Sequence, residues 1–214
     1  MGKTYTYFHD ELLQVLLGQP GEIYLRSVNQ KRLFAKKRRA YLKRAIAKYS
    51  QKEEVSVEGD YTVTVRRATS FAMEIEFDHC IVSLRSCIEH LLQLINHVAS
   101  LGLVPTSYNR SDRVDIDNVI HRSKSCNSAV LNRLGNYLDK EKQEAWYKML
   151  HRLRIEMYHK KFERFSTHGE QITLKLPNGQ EVNLITYCNT AINNLERILT
   201  YSMQSLVTFL NLVP

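Results

Sequence analysis

The sequence predicts a mainly α-helical bundle decorated with one or two short β-hairpins. Three observations lead there. Apolar residues recur every three or four positions through most of the 214 residues, Gly (8) and Pro (4) are scarce, and only two short stretches switch to strict alternation. A hydrophobic fraction of 43% and a charged fraction of 24% are those of an ordinary globular chain, long enough for a sizeable core.

Taken in order, residues 6–17 (TYFHDELLQVLL) form a short helix that stops near Gly18, Pro20 and Gly21. From Glu22 to about Tyr49 the helical pattern resumes. Phe34, Tyr41 and Ala45 lie along one side, with Lys36, Lys37, Arg39, Lys43 and Arg44 around the rest. Val55, Val57, Tyr61, Val63 and Val65 then alternate about a Glu58-Gly59-Asp60 turn signal, predicting a first hairpin over 55–65. The longest helix follows, about Thr69 to Leu101, with Phe77, Ile81, Leu84, Ile88, Leu91, Ile95 and Val98 on one seam. Cys80 and Cys87 read as small core residues in that helix. Residues 105–112 (PTSYNRSD) are a loop.

Ile116 to Asp139 reads as one or two helices, interrupted around Cys126-Asn127-Ser128. The helix that carries Trp146 begins near Asp139 or Lys140 after a tight corner. Ile172, Leu174 and Leu176 alternate, Pro177-Asn178-Gly179 turns, and Val182 and Leu184 alternate back, a second hairpin. The two hairpins are expected to pair as a small sheet at one end of the bundle. A final helix, about Thr186 to Leu210, carries Ile192, Leu195, Leu199, Leu206 and Phe209. The expected division is 1–68, with N-terminal helices, a basic arm and a hairpin, and 69–214, a helical bundle with a hairpin inserted.

Composition narrows the function. No apolar run approaches a membrane span of about 18 residues, and MGKTYTYFHDELL lacks the features of a signal peptide. Four cysteines without a CxxC pair predict a reducing compartment, hence the cytoplasm, and no zinc cage. There is no P-loop, dinucleotide turn or nucleophile elbow. The net charge of +8 is confined to one segment: residues 31–48 hold nine basic residues and no acidic one, while the remainder carries 21 basic against 22 acidic. A localised basic face attracts polyanions, so Lys36, Lys37, Arg38, Arg39, Lys43 and Arg44 are candidate nucleic-acid contacts. The alternatives are an ordinary solvated face or an N-terminal arm for a partner.

The segment WYKMLHRLRIEMYHKKF (146–162) holds the candidate chemistry. At about 100° per residue, Trp146, Met149, Leu150, Leu153 and Met157 share a core stripe. Arg152 and His159, seven apart, return to one flank near Lys148. Arg154 lies on the opposite flank near Tyr147 and Tyr158, and Ile155 and Phe162 face away from the core. A helix apolar at front and back has something packed on both sides.

At Leu153-Arg154-Ile155-Glu156-Met157-Tyr158-His159 the chain resembles the HEPN superfamily, whose signature is Arg, four to six residues, then His, ahead of a last helix. Arg154 to His159 has the four-residue spacing and Arg152 to His159 the six-residue one. The leucine before, the aromatic Phe162 after and the earlier helix segment RSCIEHLLQLIN are also similar to that superfamily, over about residues 70–210. The resemblance implies a helical bundle, a homodimer whose motif helices face each other, and metal-independent endoribonuclease chemistry with no cofactor. The RNA 2′-hydroxyl would attack the adjacent phosphate to leave a 2′,3′-cyclic phosphate. It also implies a defence or toxin setting, with a regulatory protein or antitoxin as a further partner. Ile155 stands where active members carry Asn, Asp or His, and Lys161 where some toxin members carry a modified Tyr.

The residue types suit that chemistry. An imidazole moves a proton near neutral pH, and a guanidinium braces a phosphorane in two-pronged fashion. Motif similarity favours Arg154 as the acting arginine, whereas helical phase favours Arg152. Two other readings stand beside this one. In the first, the same bundle binds RNA, a nucleotide or a protein without cleaving anything. In the second, Glu76-Phe77-Asp78-His79 and Glu156-Met157-Tyr158-His159, with Glu144 and Glu196, supply a di-iron site. Against the iron site, Glu76 and His79 point outward relative to Ile81. His90, His97, His121 and His151 form no metal spacing.

Overall fold

A computed structural model describes residues 4–50, 62–105, 107–159, 165–168, 171–175 and 180–212, with the backbone alone at 49–50, 62–71, 156–159, 165–168, 171, 174–175 and 212. Among them are seven helices: α1 (Tyr5–Leu16), α2 (Pro20–Ser50), α3 (Thr62–Val98), α4 (Ile116–Ser125), α5 (Ala129–Gln143), α6 (Ala145–His159) and α7 (Leu184–Leu212). A three-stranded antiparallel sheet, β1 (Phe165–His168), β2 (Gln171–Lys175) and β3 (Glu181–Asn183), lies between α6 and α7 in the chain. The molecule is a mainly α bundle with a short β element, as its periodicity predicts.

The helix boundaries follow local chemistry. Gly18, at φ 76°, allows the turn out of α1, a backbone conformation costly for other residues. Pro20 then opens α2, where its missing N–H has no helical partner to lose; it starts that helix instead of merely ending the first. Asp115 accepts from Asn118 N at 2.9 Å to cap α4, and Ser128 accepts from Leu131 N at 3.4 Å to cap α5. After α3, Asn96 bonds Leu103 in both directions, at 3.0 and 3.1 Å, and pins the chain reversal there.

One core cluster runs from Tyr5 on α1 to Leu206 on α7. The predicted seam of α3 is its centre: Phe77, Ile81, Leu84, Ile88, Leu91 and Ile95 are all buried. Cys80 and Cys87 are buried beside them and do more than fill space. Cys87 Sγ reaches Val28 O at 3.3 Å and Cys80 Sγ reaches Ala35 O at 3.8 Å, so α2 runs antiparallel to α3 at close range. Packed against α1, α2, α3, α5 and α6, α7 closes the bundle. Below it, Arg197 grips the buried Glu141 of α5 through two bonds of 2.9 and 2.8 Å, next to the stacked rings of Tyr137 and Tyr201.

Several expectations are corrected. The hairpin over 55–65 fails where it can be seen: 62–65 belong to α3, and its remainder lies outside the described residues. β-branched residues lose only about half a kcal/mol each in a helix, and extending one already nucleated adds a hydrogen bond per residue. The second hairpin is present, but its third strand is Phe165–His168, not the first hairpin. The Trp146 helix begins at Ala145, because Glu144 is extended (ψ 144°) and breaks α5 from α6.

On α2, Phe34 and Tyr41 are not the inner side. Leu25, Val28, Ala35 and Leu42 are fully buried, whereas Phe34 is 38% exposed. The small Ala35 under Cys80 of α3 permits the close approach that a Phe34 interface would block. Position 68 falls inside α3, and both sides of it feed the same core. Among the described residues, no helix is long and apolar enough to cross a membrane.

Candidate functional site

The arginine of the predicted pair lies in a polar seam between α3 and α6. On α3, Arg85 and Glu89 are one turn apart and face α6. Glu89 Oε1 accepts from Arg154 Nη1 at 2.7 Å and lies 3.3 Å from Arg85 Nε. Arg85 Nη1 donates to the hydroxyl of buried Tyr147 at 3.0 Å. One carboxylate thus holds two guanidinium groups, and a tyrosine anchors one of them. Charge-assisted bonds of this kind fix orientation more strongly than neutral ones.

Arg154 keeps 38% of its side chain exposed, and its bond to Glu89 engages one of the five donors of its guanidinium. His151 stands at the surface one turn before Arg154. Partial burial, and after it the charges of Arg85, Arg154 and Lys142, hold its imidazole below the usual histidine range. Lys142 itself bonds Asp117 of α4. With Arg85, Arg154 and Lys142 against Glu89 and Asp117, the seam carries a small positive excess beside an imidazole that is neutral at physiological pH. Such an array can bind an anion and accept a proton.

Arg152 is half-buried on another flank of α6, apart from the Glu89 cluster as helical phase requires. His159 is the last residue of α6; its side chain, like Phe162, lies outside the described residues. The exposed positions of α6 recur at helical spacing as Ala145, Lys148, His151 and Ile155, the last 47% exposed. Trp146, Leu150 and Leu153 occupy the buried side, with Met149 half-buried.

The predicted nucleic-acid residues divide into two groups. Lys36 bonds Glu196 of α7 at 2.5 Å, sharing it with Arg32 at 2.9 Å. Arg38 straddles Glu76 of α3 at 3.2 Å, and Arg39 bonds Asn189 of α7 at 3.0 Å. These three fasten α2 to the bundle. Lys37, Lys43 and Arg44 remain exposed, and among the described residues they pair with no carboxylate. The same contacts occupy two members of the iron constellation, Glu76 and Glu196, and no group of three or more His, Cys, Asp or Glu gathers among the described residues.

Sequence reasoning missed Arg85 and Glu89; it placed Tyr147 on the flank of Arg154, and it weighed His151 only as a metal ligand. The Arg85–Glu89 spacing of four was a usable signal of a surface ion pair, but nothing in it pointed to Arg154, 65 residues away. His90 bonds Ser86 O at 2.7 Å, and His97 packs on Gly21 and Tyr24, as satisfied helix residues do. No family model matches this chain, and the searches of curated proteins and of solved structures found no match either.

Proposed function

We propose that this chain is a metal-independent endoribonuclease of HEPN type, acting in the cytoplasm as a homodimer with Arg154 and His159 as the catalytic pair. The observation that supports it most is Arg154 itself: it sits on one continuous helix with His159, oriented by Glu89 and still open to solvent. In this reading an imidazole takes the proton of an RNA 2′-hydroxyl as that oxygen attacks the adjacent phosphorus. The bond to the 5′-oxygen breaks, a second imidazole protonates the leaving oxygen, and a 2′,3′-cyclic phosphate remains. Arg154, with Arg152 assisting or replacing it, neutralises the charge that builds on the phosphorane. The second imidazole comes from a second copy, seated on the exposed stripe through Lys148, His151 and Ile155. A defence or toxin role, with a regulatory protein or antitoxin, follows from the resemblance.

A non-catalytic bundle that binds RNA, a nucleotide or a protein is the second reading, and the same ion pair favours it. An arginine at 2.7 Å from a carboxylate is also what a purely structural contact looks like. Incubation of the purified protein with RNA in EDTA separates the two. The nuclease reading expects cyclic-phosphate ends, abolished in His159→Ala and reduced in Arg154→Ala. Binding without cleavage, unchanged in either variant, establishes the other.

A further inference from the structure

We propose that the solvent face of α2 is a binding strip for single-stranded nucleic acid, with Phe34 and Tyr41 stacking on bases and Lys37, Arg44 and Lys48 taking phosphates. The inference rests on the RNA side of the reading above and needs no cleavage at α6.

Helix phase defines the strip. At about 100° per residue, the buried Leu25, Val28, Ala35 and Leu42 point one way, together with Arg32 and Arg39, which bond α7. Phe34, Lys37, Tyr41, Arg44 and Lys48 follow one another at three- and four-residue steps on the diametrically opposite side, with Leu33 at their edge. Leu33 is 52% exposed and Phe34 38%, Lys37, Arg44 and Lys48 are exposed, and Tyr41 is half-buried. From Leu33 to Lys48 the strip is roughly 22 Å long at 1.5 Å per residue, enough for several nucleotides.

Charge selects a polyanion. Beyond Glu22, α2 contains no carboxylate. Among the described residues, the acids that pair with it from other helices, Glu76 and Glu196, are consumed by Arg38, Arg32 and Lys36 on the flanks that face the bundle. The outer cations gather instead around an aromatic: Lys37 and Arg44 lie 5.6 and 5.7 Å from the centre of the Tyr41 ring, and Arg38 reaches it from the flank at 5.9 Å. Cations and rings alternating along one groove or ridge are what unpaired bases and their phosphates require.

The aromatics select single strands, because a duplex hides its base faces and offers phosphates alone. A membrane surface fits less well: its apolar face should be continuous, whereas Lys37 and Arg44 interrupt this one along its midline. A second copy of the strip would bring like charges together.

Fluorescence anisotropy with a labelled 15-nucleotide RNA, the DNA of the same sequence and a duplex tests this, using the full chain. The two single strands should bind within a few-fold of each other and the duplex at least tenfold more weakly. Phe34→Ala, with its helicity checked by circular dichroism, should weaken single-strand binding fivefold or more. Lys37→Gln with Arg44→Gln should lower the slope of log affinity against log salt by about 1.4, since each phosphate no longer neutralised removes about 0.7. Lys43→Gln, the same charge change about a quarter of a turn round the helix from Arg44, should alter affinity less than twofold.

Equal affinity for duplex, or an equal effect of Lys43→Gln, would replace the strip with a diffuse basic surface. Binding only to anionic phosphatidylglycerol vesicles, or a dimer dissolved by Phe34→Ala with strand binding intact, would overturn the proposal. Strand binding that survives in a protein unable to cleave RNA in EDTA sinks the nuclease reading alone. Cleavage with no effect of the strip variants sinks only this one.

Discussion

Arg154 on α6 and Glu89 on α3, 65 positions apart in sequence, meet at 2.7 Å, and Glu89 lies within ion-pair distance of Arg85 as well. The arginine singled out by the motif is therefore not a loose surface cation. Its guanidinium is aimed by a carboxylate that is itself 40% exposed, and the orientation of the site depends on a residue outside the motif.

Glu89→Ala should cost about 1 kcal/mol of stability, the upper end for a partly exposed pair, since two cations lose one partner. A urea melt measures it. In the nuclease reading the same variant lowers cleavage by more than its loss of stability explains, whereas Glu89→Gln retains part of both.

His151 should titrate below an ordinary histidine, and Arg85→Ala should move its pKa back upward; ring-proton shifts in an NMR titration report both. Because the folded pKa is depressed, the unfolded chain binds more protons in the interval between the two values. This histidine's contribution to stability is therefore complete above the unfolded pKa, about 6.5, and fades as the pH falls toward the folded one. A nucleic acid lying on the seam would raise the His151 pKa again.

Asp78 behaves in the opposite sense. Burial, with the charge of nearby Glu74 added to it, raises its carboxyl to about 6. The folded state holds the extra proton, so stability falls as the pH rises through the interval from the ordinary aspartate value to about 6. Asp78→Asn should match the parent at low pH and exceed it by roughly 1 kcal/mol at pH 7, discounted because the carboxyl still meets water. Thermal melts at both pH values decide it.

Leu42→Ala should destabilise by about 2–5 kcal/mol, as much as a leucine from the α3 seam. Unfolding should stay a single transition by circular dichroism and Trp146 fluorescence. Two separated transitions would mean that α1 and α2 fold apart from the rest.

The helical class, the seam of α3, the break near Cys126 and the antiparallel pairing of β2 with β3 were legible in the sequence, because each rests on local spacing; the Pro177-Asn178-Gly179 step itself lies outside the described residues. A period of 3.6 marks a helical stripe and a period of two marks a strand, whatever surrounds them. The inner side of α2 was not legible. Its two apolar stripes are equally periodic, and only the approach of Cys80 and Cys87 to Ala35 and Val28 made the smaller residues the buried ones.

The same division holds for the site. The chain by itself placed Arg154 and His159 at four-residue separation on one helix and put nine cations within residues 31–48. Tertiary structure decided which of those cations are spent on Glu76, Asn189 and Glu196 and which remain at the surface, and it supplied Glu89 to Arg154. Spacing along a helix is a property of the backbone, the same wherever the helix lies. Charge pairing is a matter of distance in space, and it exists only once α2, α3, α6 and α7 have packed.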